Sequence, residues 1–171
     1  MTSTYQTLND IDWKRWVPKH TATLTFIVKN EQILLIRKKR GLGAGKINGP
    51  GGKLEAGETP LECAIREVQE ELCITPINLQ HQGESRFQFV DGYSIHVHNY
   101  IATDYTGTPT ETDEAIPLWF ALDDIPYNEM WEDDRLWLPR LLHGESFTGR
   151  YLFDDDRMLD NDITTTRFAK E

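Results

Sequence analysis

Apolar and polar positions alternate in short runs along most of the chain. Ala22 to Val28 is rich in β-branched residues, and Gln32 to Arg37 is a second such run. Lys29-Asn30-Glu31 between them has the length of a hairpin connector. Further strands are expected at Glu84–Val90 and Tyr93–Thr103, joined by an Asp91-Gly92 turn, and at Ile116–Phe120. Phe147, Gly149, Tyr151 and Phe153 alternate as a last strand would. The period changes at Thr59-Pro60: a capping threonine, a first-turn proline and Glu62 predict a helix running to Leu72. Leu61, Ala64, Ile65, Val68 and Leu72 form its apolar stripe, the expected buried face. A second helix fits Asp133–His143, with Pro139 kinking it or moving its start. Residues 1–20 read as an arm, with Trp13 and Trp16 among charges, and residues 154–171 as a frayed acidic tail. Strands interleaved with two helices indicate an α/β (α+β) chain with a mixed sheet and helices packed on it.

The 171 residues suit one domain. Their 18 basic and 28 acidic side chains give a net charge of −10, which disfavours nucleic acid and anionic membrane as partners. No run approaches the ~18 apolar residues of a membrane span. The first twenty residues lack the apolar stretch of an export signal, so a cytoplasmic protein is expected. Cys63 and Cys73 form no CxxC pair, which argues against a disulfide scaffold or a cysteine zinc site. His96 and His98 share a strand face, but no third His or Cys stands near them in sequence. Their i, i+2 spacing is a possible metal pair, but without a third ligand they read as ordinary strand residues.

Chemistry concentrates around the first helix. Glu67, Glu70 and Glu71 stand at i, i+3 and i+4, so three carboxylates project together. They form either a solvated acidic face or a site for a hard cation such as Mg²⁺ or Mn²⁺. Upstream lies a loop dense in breakers, Gly41-Leu42-Gly43-Ala44-Gly45 and Gly49-Pro50-Gly51-Gly52. It satisfies neither the P-loop nor the GxGxxG spacing.

Gly52, Glu58 and Arg66-Glu67-Val68-Gln69-Glu70-Glu71-Leu72-Cys73-Ile74 together resemble the Nudix box, the signature of hydrolases of nucleoside diphosphates linked to another moiety. Cys73 departs from the pattern, standing where the family has a helix-terminating glycine. The resemblance implies a Nudix α/β/α sandwich over residues 21–153. It implies metals held by Glu67, Glu70 and Glu71 with help from Gly51, and an Arg66–Glu58 pair fixing the loop. Lys38-Lys39-Arg40-Gly41, Asn48-Gly49, Asp113-Glu114, Met130-Trp131, Asp133-Asp134 and Trp137 extend it towards the MutT-homologue branch, triphosphatases of oxidised purine nucleotides.

That branch implies base recognition by Asn48, Trp131, Asp133 and Asp134. Asp133-Asp134 reads equally as a helix N-cap pair. Glu114 would add a ligand or a base, and Lys38 would meet the triphosphate unless it is a solvated strand end. Thr23 and Phe87 would line the pocket, with strand pairing and core packing as their bland alternatives. Leu42, Ile47 and Pro50 replace larger aromatics, which implies a wider pocket mouth. The implied activity is Mg²⁺-dependent conversion of 8-oxo-dGTP or a related purine nucleoside triphosphate to the monophosphate and pyrophosphate by a monomer. Another Nudix substrate (a dinucleoside polyphosphate, a pyrimidine nucleotide, capped RNA) and a non-catalytic nucleotide-sensing module are the alternatives.

Overall fold

A computed structural model describes residues 5–166. In chain order its elements are β1 (His20–Lys29), β2 (Gln32–Lys38), β3 (Ile47–Asn48), β4 (Gly51–Lys53), α1 (Pro60–Leu72), β5 (Thr75–Ile77) and β6 (Gln80–Phe89). There follow β7 (Ser94–Ala102), β8 (Asp104–Thr106), β9 (Ala115–Ala121), α2 (Asp134–Leu142), β10 (Ser146–Asp154) and β11 (Arg157–Thr166). One large sheet runs β11-β10-β6-β7-β1-β2-β3, with β4 on β1 and β9 on β2. It is mixed: β1 with β7 and β6 with β10 are parallel, and the other pairs are antiparallel. A small antiparallel pair, β5 with β8, stands beside it.

Each helix covers one face. Val68 and Leu72 of α1 pack with Ile27, Leu34, Ile36 and Ala102. Trp137, Leu138 and Leu141 of α2 pack on the other face with Phe26, Leu35, Phe147 and Tyr151. The expected layered, mixed-sheet architecture is therefore the observed one. Among the described residues, no helix is long and apolar enough to cross a membrane.

The α1 boundaries follow from its local signals. Thr59 accepts a bond from the Glu62 amide at 3.2 Å, and Glu62 accepts one from the Thr59 amide at 3.0 Å. At the other end Cys73 takes the left-handed conformation, φ 61° and ψ 28°, which a side chain adopts at a cost that glycine avoids. Pro139 lies inside α2 without ending it.

Two expectations are corrected. Leu61 is exposed and Ile65 only half-buried, whereas Cys63 and Glu71 are buried. The buried arc of α1 is thus turned towards its carboxylates, because the helix rests on the β4 glycines as well as on the sheet. The segment after Asp154 does not fray as far as it is described. Asp155, with φ 54°, turns the chain into β11, which pairs with β10 along its length. Residues 167–171 lie outside the described residues.

The arm is anchored to the same sheet. The Leu8 amide donates to Asp160 Oδ2 at 2.9 Å, Trp16 Nε1 donates to Gln88 Oε1 at 2.9 Å, and Arg150 lies over the Trp13 ring. Residues 1–4 of the arm are outside the described residues.

Candidate active site

Two glycines bring α1 against β1. A Cβ on Gly51 would overlap the Thr23 carbonyl oxygen, and one on Gly52 would overlap the Glu67 carboxyl group. Neither overlap can be relieved without moving backbone or that carboxylate. The close approach seals Cys63 beneath the helix, between Thr23 Oγ1 at 3.4 Å and the Gly52 carbonyl at 3.5 Å. Burial pushes its thiol up to about 11, so it is a packed group and not a nucleophile.

Above this floor, oxygens of Glu67, Glu71 and Glu114 come within 4.8 Å of one another. Glu71 is only 4% exposed, and its carboxylate accepts a bond from the Gly51 amide at 3.3 Å. Burial first, and the Glu67 charge second, push it up to about 8. Burial also raises Glu67, against the pull of Arg66. Three converging carboxylates, one deeply buried, offer oxygen atoms of the kind that hard divalent cations take.

Glu70 stands apart from this trio, half exposed and 3.2 Å from Arg66 Nη1. Arg66 ties the loop to the helix, as the resemblance implied. Its Nε reaches Glu58 Oε2 at 2.7 Å, its Nη2 reaches Glu58 Oε1 at 2.9 Å and the Lys53 carbonyl at 3.0 Å, and its Nη1 reaches Glu67 at 2.8 Å. This bidentate grip holds the Glu58 carboxyl down to about 2.

The cationic run divides. Lys39 pairs with Glu111 at 2.6 Å and Arg40 with Glu114 at 2.9 Å. Lys38 points inward: burial lowers its pKa, against the attraction of Glu71, Glu67 and Glu114. It lines a cavity of about 250 Å³ that extends from Gly51, Gly52 and Lys53 to the buried acids at the start of α2.

At that far end Asp133 and Asp134 are almost wholly buried, 1% and 3% exposed. Asp133 occupies the N-cap position of α2 but makes no capping bond with its side chain. Its Oδ2 instead accepts from Trp137 Nε1 at 2.7 Å. Asp133 Oδ1 and Asp134 Oδ2 have no partner in the protein. Burial raises both acids, and Asp134 is lifted further by the Asp133 charge beside it. The pair therefore resists double ionisation, and the indole N–H at 2.7 Å favours Asp133 as the ionised member. A donor and an acceptor then face one cavity. Asp133 is the N-cap residue by position, but its side chain is bonded to the indole and not to the helix amides.

The cavity also gathers Thr23, Asn48, Phe87 and Trp131, each of which the sequence had suggested. Phe87 stacks on Tyr151 with centroids 4.8 Å apart. Trp131 lies edge-on to Phe89 and Phe153, and Lys46 Nζ is 5.3 Å from its ring centre. Gly43, at φ 81°, lets the loop touch that ring: a Cβ there would come within 2.8 Å of Trp131 Nε1.

Asn99 was missed. It is fully buried, lines the cavity, donates to Ser85 Oγ at 3.2 Å, and its Oδ1 is unpartnered. The signal was present. Ile95, Val97 and Ile101 share one face of β7, and Asn99 is the polar interruption in that series.

The profile of the Nudix domain matches residues 18–141. The chain is 43% identical over 132 residues to an oxidized purine nucleoside triphosphate hydrolase of Danio rerio, covering 77% of this chain and 85% of that protein. The Mus musculus protein of the same name is 42% identical over 134 residues, covering 78% and 86%. Among solved structures, a mutator MutT protein from Bacillus halodurans superposes with a TM-score of 0.77 at 27% identity, covering 84% of this chain and 97% of that one.

Proposed function

Since the chain belongs to the Nudix family, whose hydrolases generally use divalent metals, we propose that it hydrolyses oxidised purine nucleoside triphosphates such as 8-oxo-dGTP. The products are the monophosphate and pyrophosphate. The observation that carries this reading is one continuous cavity, about 250 Å³, lined at one end by the glycine floor of the carboxylate cluster and at the other by a buried acid pair. The names of the two vertebrate relatives support it.

Glu67, Glu71 and Glu114 would hold the metal, with Glu70 at the rim and Gly51 beside them. Mg²⁺ is the proposed ion and Mn²⁺ its substitute, because both take carboxylate oxygens. Bound there, divalent ions neutralise phosphate charge and lower the pKa of a bound water. Arg66 keeps Glu67 aimed at the β4 glycines and locks the loop through Glu58. Lys38 offers a cation to the triphosphate where the carboxylates would otherwise repel it.

At the base end, ionised Asp133 accepts and protonated Asp134 donates. Asn48 can do both through one amide, and Asn99 Oδ1 adds an acceptor. Trp131 and Phe87 supply aromatic surface for a purine. The net charge of −10 supports a free nucleotide over a long polyanion as substrate. A monomer working on the cytoplasmic nucleotide pool is the simplest setting for this chemistry.

The test is product analysis with 8-oxo-dGTP and Mg²⁺. The reading expects 8-oxo-dGMP and pyrophosphate as primary products. Orthophosphate and the diphosphate as primary products would overturn it.

A further inference from the structure

The sheet face opposite the cavity carries a second cluster of ligating side chains. On β7, Ile95, Val97 and Asn99 line the cavity, so His96 and His98 face the other way. Glu84 of β6 stands directly across from His98. In a regular strand His81 and Glu84, three residues apart, would point to opposite faces. A β-bulge prevents this: His81 pairs with Tyr100 but Gly83 pairs with Asn99, so Gln82 is the extra residue. The bulge turns His81 onto the face of His98 and Glu84. The third histidine that the sequence around His96 lacked is delivered by the neighbouring strand.

We propose that His81, Glu84 and His98 form a binding site for a divalent transition metal of the zinc class, with His96 orienting Glu84. His81 Nε2 and His98 Nδ1 face each other at 3.0 Å, and His98 Nδ1 lies 3.8 Å from Glu84 Oε1. All three ligand atoms fall within 4.8 Å of one another. Ligands about 2.0–2.1 Å from a tetrahedral zinc ion are separated by about 3.3 Å, which these distances bracket. Two imidazole nitrogens and one carboxylate oxygen are a set zinc takes, leaving its fourth position to water.

His96 Nε2 sits 2.8 Å from Glu84 Oε1, the place of an outer partner that aims a ligating carboxylate. His98 and Glu84 are half-buried and His81 is exposed, so the site is both held and reachable. The cluster shares no residue with the Glu67–Glu71–Glu114 group. A metal there ties β6 to β7 across the bulge.

The full chain is titrated with Zn²⁺ in excess Mg²⁺, which occupies the carboxylate cluster. One Zn²⁺ per chain is expected, with two imidazoles in its X-ray absorption spectrum and a rise in unfolding temperature. His81→Asn and His98→Gln each weaken binding by at least about tenfold, and His96→Gln by about 10–100-fold. All three keep Mg²⁺-dependent hydrolysis, which shows that they fold. The proposal is overturned if no Zn²⁺ binds in excess Mg²⁺. It is equally overturned if affinity and the imidazole signature survive in the double variant His81→Asn/His98→Gln.

Discussion

Glu71 ties the proposed catalysis to a measurable cost in stability. Its carboxyl group is 4% exposed and is raised from an ordinary 4.5 to about 8, by burial and then by Glu67. Without metal, the folded protein holds a proton that the unfolded chain releases between about pH 4.5 and pH 8. Stability from this group is complete below pH 4.5 and is lost as pH rises to about 8. At about 1.36 kcal/mol per pH unit, the loss across the window is about 3–5 kcal/mol.

Glu71→Gln does not titrate and keeps an acceptor for the Gly51 amide. In chelator, the variant matches the parent below pH 4.5 apart from a constant offset. It gains on the parent progressively up to pH 8. Urea unfolding at a series of pH values reads this difference directly. With excess Mg²⁺ the order reverses, because the cation stabilises only the ionised parent, and the variant loses hydrolysis. A difference between the two proteins that is flat from pH 4.5 to 8 would refute the reasoning.

Three further substitutions probe the remaining parts. Gly52→Ala puts a Cβ into the Glu67 carboxyl group; a displacement of about 1 Å should lower kcat about 10²-fold in steady-state assays, with the fold retained. Glu70→Gln lowers turnover by about 10²-fold or more but shifts unfolding by less than about 1 kcal/mol, since its ion pair with Arg66 is half exposed. Trp137→Phe keeps the ring packing on Phe147 but removes the 2.7 Å donor to Asp133. It costs about 1.5–3 kcal/mol in urea unfolding and narrows the kcat/KM ratio between 8-oxo-dGTP and dGTP.

Legibility from sequence tracked how local the determinants were. The α1 limits, Pro60 and Leu72, are set by Thr59, Pro60 and Glu62 within one turn and by Cys73 at the end, so they could be read directly. Glu67 and Glu71 of the carboxylate cluster follow from helical spacing, whereas Glu114 lies before β9 and was reached only through the resemblance. The rotation of α1, with Leu61 outward and Glu71 inward, comes from the β4 glycines beneath it and has no signal inside the helix.

The last strand hid for a different reason. Asp154, Asp155, Asp156, Asp160 and Asp162 resemble a solvated tail. An edge strand can be that polar because β10 supplies its hydrogen bonds. The burial of Asp133 and Asp134 was legible only through the resemblance, since two acids at a helix start look like caps until Trp137 is seen holding one. The His81 cluster needed a bulge, which shifts the strand parity that sequence patterns assume.

The most direct test of the central claim is kcat/KM for 8-oxo-dGTP and dGTP side by side in Mg²⁺, following pyrophosphate release. If Asp133, Asp134 and Asn48 read the oxidised base, the ratio should reach about 10–200-fold in its favour, the 1–3 kcal/mol that a shaped pocket supplies. Equal values would leave the hydrolytic chemistry standing and contradict the assignment of the buried acids as readers of an oxidised purine.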